Sequence, residues 1–164
     1  MTKHRHIDFL PLSAGDHALV RHIEVAPEQV VYCGTVDMAF RSEEEELDFY
    51  AIRNGAGCVG FFKIDLKYPR THGFARPGDL GLRAFMVDHR HQGGGIGSGA
   101  LMALPGFLAR RYPQAEALVL TVNIRNQVAV RAYLKCGFRD TGEIHEGGLA
   151  GPQHVMRIPL RTKG

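Results

Sequence analysis

The sequence predicts an α+β fold, one domain over residues 1–164 built on a mixed, mostly antiparallel sheet. Three observations carry that prediction. The length is that of one domain, and a chain of this size buries roughly 70% of the surface its unfolded form exposes, enough for a core without staples. Several short apolar or β-branched runs are separated by turn residues, and two of them flank an Asn-Gly turn, which marks an antiparallel hairpin. Two later runs are each followed by a helix, the first marked by an apolar stripe of helical period and the second by cap and stop residues, which sets helices beside the sheet.

Ile7 to Leu12 reads as the first strand, closed by Pro11 and the Ser13-Ala-Gly-Asp16 turn. Asp16 to Ile23 reads as a helix with Leu19, Val20 and Ile23 on one side. Thr35 is placed to cap a helix running through Met38, Ala39 and Phe40 into Glu43–Glu46. Leu47 to Arg53 and Cys58 to Asp65 form the hairpin around Asn54-Gly55-Ala56-Gly57. Lys67 to Asp79 is a Pro/Gly-punctuated loop, longer than most connections and so a candidate functional loop.

Leu80 to Val87 reads as a buried strand. Beyond it Ile96, Ala100, Leu101, Leu104 and Leu108 recur at helical spacing, Arg110 and Arg111 suit the negative C-terminal end, and Pro113 stops the helix. Pro105 interrupts that stripe, which predicts a kink or two shorter helices. Ala117 to Val122 is a second buried strand. Asn126 then caps a helix through Tyr133 and Lys135, and Gly137 supplies its left-handed C-terminal turn. Thr141 to Glu146 and His154 to Leu160 close the sheet around the Gly147–Pro152 loop.

Composition narrows the function. Twenty Lys and Arg against seventeen Asp and Glu leave a scattered +3, too little for a nucleic-acid or membrane-surface partner. Cys33, Cys58 and Cys136 are an odd number with no C-x-x-C spacing, which points to a reducing compartment. The N-terminus has no apolar run of signal-peptide length, and the uncharged stretch from Gln92 to Ala109 is too glycine-rich to span a bilayer. The expectation is a soluble cytoplasmic protein.

Glycine stands at about 12% of the chain against a usual ~7%, and much of the excess lies at Gly93, Gly94, Gly95 and Gly97. Strand, glycine loop and helix together bind pyrophosphate: N–H groups at a helix N-terminus are unpaired, the helix dipole adds positive charge, and glycines let oxygens approach the backbone. The plain alternative is a tight strand-to-helix turn, for which four glycines in five positions are more than needed. Gly94-x4-Gly99 is followed by Ala100-Leu101 rather than Lys-Ser/Thr, so it is not a P-loop. Gly95-x-Gly97-x-x-Ala100 satisfies a loose dinucleotide fingerprint, but the next strand ends in Asn123 where that motif wants an acid.

Gln92-x-x-Gly95-x-Gly97 resembles the acetyl-CoA pyrophosphate loop of the GNAT superfamily of N-acetyltransferases. Asn126-x-x-Ala129-x-x-x-Tyr133-x-x-x-Gly137-Phe138 resembles that superfamily's second signature helix, in the right order and at a fitting distance. The likeness covers residues 80–160 closely and the rest loosely, with Phe61-Phe62, Leu80–Phe85 and Ala150–Met156 suggesting a polyamine or small-molecule subgroup. It implies a sheet with helices on both faces and acetyl-CoA as cosubstrate, held by Phe85, Met86, Val87, Gln92, Gly93, Gly94, Gly95, Ile96, Gly97, Ser98 and Asn126, with no metal. A backbone N–H near Phe85 would polarise the thioester carbonyl, and Ala117–Val122 would be the diverging neighbour strand. Tyr133 would protonate the departing thiolate; otherwise it is a core tyrosine beside Ala129 and Val130.

The implied reaction is acetyl transfer from acetyl-CoA to a primary amine of a small molecule or polyamine, by direct attack in a ternary complex. Acetylation of a protein N-terminus or lysine, and non-catalytic acyl-CoA sensing, are the rivals. Many relatives pair, so a homodimer is expected among the states. His89, Arg90 and His91 stand beside the loop, either meeting CoA phosphates or simply solvated; His89-x-His91 lacks acidic or Cys partners for a metal. The leaving proton has no assigned acceptor: Glu24, Glu43–Glu46, Asp79, His145 and His154 are candidates, as is water passing the proton to bulk, and the glutamate run either attracts a cationic substrate or is a solvated face.

Overall fold

The computed structural model describes residues 6–55, 57–148 and 150–161. The extreme N-terminus, Ala56 of the hairpin turn and Leu149 of the closing loop, all read above, lie outside the described residues. Seven strands form one sheet in the order β1-β2-β3-β4-β5-β7-β6: β1 (Ile7–Leu12), β2 (Leu47–Asn54), β3 (Gly57–Asp65), β4 (Asp79–Val87), β5 (Ala117–Asn123), β6 (Arg139–His145) and β7 (Gln153–Pro159). Every neighbouring pair is antiparallel except β4 with β5. Pro11 sits inside β1 opposite Tyr50 rather than closing it, which an edge strand tolerates because the missing N–H faces no partner.

Alternation along the strands decides what each face covers. Tyr50, Ile52, Phe62, Ile64, Leu82, Leu118 and Leu120 point to one side, where α5 (Ile96–Arg111) adds Ala100, Leu101, Leu104 and Leu108, and α6 (Gln127–Lys135) adds Ala129 and Tyr133. Ala51, Phe61 and Met86 point to the other, under Val20 of α1 (His17–Val20) and Val36 and Ala39 of α3 (Val36–Arg41). On that second face Tyr68, from the helical turn α4 (Tyr68–Thr71), packs with Val119 and Val155.

Four local expectations are corrected. Pro105 does not split its helix: α5 runs unbroken, because Leu101, Leu104 and Leu108 on both sides of the proline are buried against the sheet. Thr35 does cap α3, accepting from the Met38 N–H at 3.1 Å, but the helix stops at Arg41 and the glutamates lie in the following loop. Only His17–Val20 of the first predicted helix is α-helical, and a short α2 (Val30–Cys33) follows it unannounced. Asn126 stands at the N-terminus of α6, yet its side chain makes no capping bond. Gly137 does take the left-handed turn, at φ +102°, with the Phe138 N–H donating back to the Tyr133 carbonyl at 3.0 Å.

Candidate active site

The site begins where β4 and β5 part. Their pairing runs through Asp79↔Ala117, Leu80↔Leu118 and Gly81↔Val119 and then ends, although both strands continue. On its other edge β4 carries a bulge: Phe61 pairs with Met86 and Lys63 with Arg83, so Phe62 alone faces both Ala84 and Phe85. Ala84 there adopts φ +56°, a conformation that costs a non-glycine residue about 1–3 kcal/mol and clusters at functional sites. From Leu82 onward the edge of β4 that faces β5 has no strand partner, and a cleft of about 860 Å³ opens along it.

The glycine loop closes one end of this cleft. Asp88, almost fully buried, receives the N–H of Arg90 and starts a tight turn (His89–His91), after which Gly93 and Gly95 take φ of +83° and +84°. A Cβ on either glycine would meet nothing within 4 Å, so the space above the loop is open to a ligand. The Gly99 N–H is bonded to Gly95 O at 2.9 Å, and the N–H groups ahead of it belong to the first turn of α5, where a helix has no acceptor of its own. The side chain of Gln92 donates to Val87 O at 2.9 Å and ties the loop to the end of β4.

Of the residues assigned to the cofactor, Phe85, Met86, Val87, Gln92, Gly93, Gly95, Gly97, Ser98 and Asn126 all line the cleft, as does Tyr133. Ile96 turns its side chain into the core and Gly94 faces solvent outside the lining. The Tyr133 ring meets Phe138 edge-on at 5.4 Å, and burial, with Cys33 nearby, pushes its phenol well above the ordinary range, so it stands protonated near neutral pH. Cys33, from α2, also lines the cleft, its thiol pushed up to about 11 by burial.

Arg90 is committed elsewhere: its guanidinium grips Asp88 at 2.7 Å and the His22 carbonyl at 2.7 Å, while His89 and His91 are exposed and outside the cleft. Among the described residues no group of three or more His, Cys, Asp or Glu is arranged for a metal ion, and no helix is long and apolar enough to cross a membrane.

None of the acids and histidines considered as proton acceptors lines the cleft. Asp79 is buried and held by a two-pronged contact from Arg157, at 2.6 and 2.7 Å. Glu44 takes two bonds from Arg83, at 2.8 and 3.1 Å, which hold its carboxyl at about 2; Glu46 is bound by Arg70. The histidine in the lining is His72, from the long loop. Its ring stacks on Tyr68 with centroids 3.9 Å apart, its Nδ1 lies 2.9 Å from Thr71 Oγ1, and burial keeps it below the ordinary imidazole value. The length of the 67–79 segment was the sequence signal pointing to it; its partners Tyr68 and Thr71 are local, from the turn α4, while its place in the cleft comes from tertiary contact.

The family model described as Acetyltransferase (GNAT) family matches residues 13–138. The spermine/spermidine N(1)-acetyltransferase of Bacillus subtilis is 26% identical over 145 residues, spanning 87% of this chain and 93% of its own. The fold superposes on an aminoglycoside acetyltransferase in complex with coenzyme A at a TM-score of 0.76 and 17% identity, covering 93% of this chain and 94% of that one. It superposes also on an acetyltransferase from Thermus thermophilus at a TM-score of 0.68 and 21% identity, over 93% and 96% of the two chains.

Proposed function

Since the chain belongs to the GNAT family of N-acetyltransferases, we propose that its cleft takes acetyl-CoA and an amine together and passes the acetyl group to a primary amine of a small molecule. One observation supports this above the rest: the unpaired edge of β4 and the open glycine loop border the same cleft. Acetyl-CoA supplies an activated thioester. The main chain of Phe85, Met86 and Val87 offers hydrogen bonds that an extended arm can take up as a strand would. The N–H groups of Gly93 to Ser98 suit a pyrophosphate in charge and reach. A backbone N–H at the bulge, fixed before substrate arrives, would steady the negative charge that gathers on the carbonyl oxygen.

Two side chains handle protons. Tyr133, held protonated by burial, gives its proton to the departing thiolate. An alkylamine is neutral in only about one molecule per thousand at pH 7, so its proton must be accepted, and His72 is the lining side chain held neutral for that task. Relatives named for spermine and spermidine support a small amine as acceptor. The test is a thermal-shift titration with acetyl-CoA, with NAD and ATP as controls, followed by thiol detection of CoA release from an amine panel. At 100 times Kd a ligand adds about 2.7 kcal/mol, roughly 5–10 °C for a chain of this size. A shift with NAD alone, or none with acetyl-CoA, removes this reading.

A further inference from the structure

One flank of the cleft gathers more cations than acids, and one of those cations has no direct ion pair. Lys63 of β3 and Arg83 of β4 are direct cross-strand partners, an arrangement that places like charges side by side at a cost. Two acids serve this patch. Glu44 binds Arg83, Asp65 binds Arg83 at 3.1 Å, and both lie 3.6 Å from the Lys67 ammonium. Three cations thus share two carboxylates. The one left over is Lys63: it is only 7% exposed, it lines the cleft, and among the described residues its ammonium has no hydrogen bond and no ion pair within 4.0 Å. Among the described residues the enclosed ammonium without a hydrogen bond is that of Lys67, which has Glu44 and Asp65 at 3.6 Å; Lys63 feels the same two acids only from beyond ion-pair distance, and a carboxylate entering the cleft would be its first direct partner.

The glycine-loop phosphates are not that anion. Lys63 is level with Arg83, four residues before the end of β4, which is about 13 Å along the strand from the loop. Among the lining residues Glu28 is the one acid, and it is exposed, while Lys63, Arg83 and His72 are basic. Arg83 is neutralised by Glu44 and Asp65 and His72 is held neutral, so Lys63 is the lining charge that disfavours a polycation. Two members of the glutamate run that would draw one in are taken up, Glu44 by Arg83 and Lys67 and Glu46 by Arg70.

We propose that Lys63 binds a carboxylate of the acceptor, so that the substrate is an amine that also carries an acidic group, amino-acid-like rather than a polyamine. The inference rests on the acetyltransferase reading above and narrows its acceptor. Burial and the charge of Arg83 already hold the Lys63 ammonium below its ordinary range, and a bound carboxylate would reverse that by restoring the missing partner. Binding is then selected by charge as much as by contact, since a spermidine-like chain meets Lys63 as a like charge.

The experiment measures CoA release by the full chain at saturating acetyl-CoA with matched amines: 4-aminobutyrate against butylamine, glutamate, 2-aminoethylphosphonate and spermidine. The expected result is a kcat/KM at least ten-fold higher for 4-aminobutyrate than for butylamine, with spermidine the poorest. Lys63→Met should bring the acid-to-neutral ratio to about one by raising KM for the acid, and Lys63→Arg should restore part of it, in variants whose acetyl-CoA thermal shift is retained. A preference for butylamine or spermidine in the unaltered protein overturns the proposal, with no variant needed. An equal fall for both amines in Lys63→Met also overturns it, marking Lys63 as a proton carrier or packing residue. A preference for the phosphonate over both carboxylates overturns the carboxylate assignment. Turnover of amines without any acid preference defeats this inference alone, whereas the absence of both turnover and an acetyl-CoA shift defeats the acetyltransferase reading beneath it.

Discussion

The ring of Tyr68 lies against the bare backbone of Gly81: a Cβ on that glycine would fall 2.0 Å from Tyr68 Cδ1. Gly81 belongs to the last residue pair joining β4 to β5, so the ring sits at the apex of the opening between them. Tyr68 in turn carries the stacked ring of His72 into the cleft. One missing side chain in the sheet thus sets the position of the candidate proton acceptor. Gly81→Ala should lower stability by about 1–3 kcal/mol through overpacking. Joined to Tyr68→Leu, it should cost less than the sum of the two changes, because the clash is then gone. Thermal melts of the four proteins check this, and strict additivity would mean that the ring does not bear on Gly81.

Gly97 allows a clean test of the loop. A Cβ there meets only Val87 Cγ2, at 3.7 Å, so Gly97→Glu should leave the melting temperature of the free protein within a few degrees. Its carboxylate would stand among the N–H groups offered to a pyrophosphate. The thermal shift with acetyl-CoA should disappear, and a retained shift would take the loop out of the binding site.

Tyr133→Phe removes one hydroxyl and leaves the ring against Phe138. Turnover should fall by about 10²–10⁴-fold while the acetyl-CoA thermal shift persists. Unchanged turnover would return Tyr133 to the role of a core residue.

His72 faces Tyr68 and His145, with Asp65 and Arg83 further off, and the net result of burial and these charges is a lowered value. A base works when neutral, so kcat should rise with pH through a midpoint below about 6.5 and then level off. His72→Gln should remove that acid limb and lower the plateau by about 10²-fold. A limb that survives the substitution belongs to another group.

Glu44 is held at about 2 rather than its ordinary 4.5 by the paired Arg83. The folded value lies below the unfolded one, so the stabilisation is complete above about 4.5 and is lost as pH falls toward about 2. The carboxylate is partly exposed, so solvent screens the pair and the effect is small. Glu44→Gln should lower the melting temperature by about 1–3 °C at pH 7 and by nothing near pH 2. A constant difference across that range would exclude the ion pair as the cause.

Much of the fold was legible because its signals are local. Alternation and turn residues placed β1 over its observed span and put β2 and β3 around their Asn-Gly turn. Helical spacing recovered α5, the Asn126 and Gly137 boundaries recovered α6, and nine of the residues assigned to the cofactor fall in one cleft. Helical signals failed where the segment was too short for a period, as in α1 and α2, or where charge resembled helix continuation, as in Glu43–Glu46. The amino-acid sequence by itself determined the succession of the strands and of the two long helices, the glycine-rich turn, and the residue types available for chemistry. Tertiary structure alone decided that β5 leaves β4 after Gly81, that Ala84 turns into a positive φ, that Glu44 is taken by Arg83, and that Lys63 stands in the cleft wall with no direct ion pair. The first set depends on neighbours within a few residues along the chain, where propensity and periodicity act. The second depends on which distant side chains share one face of the sheet, and hence on how two acids are divided among three cations, a competition that exists only once the strands are paired.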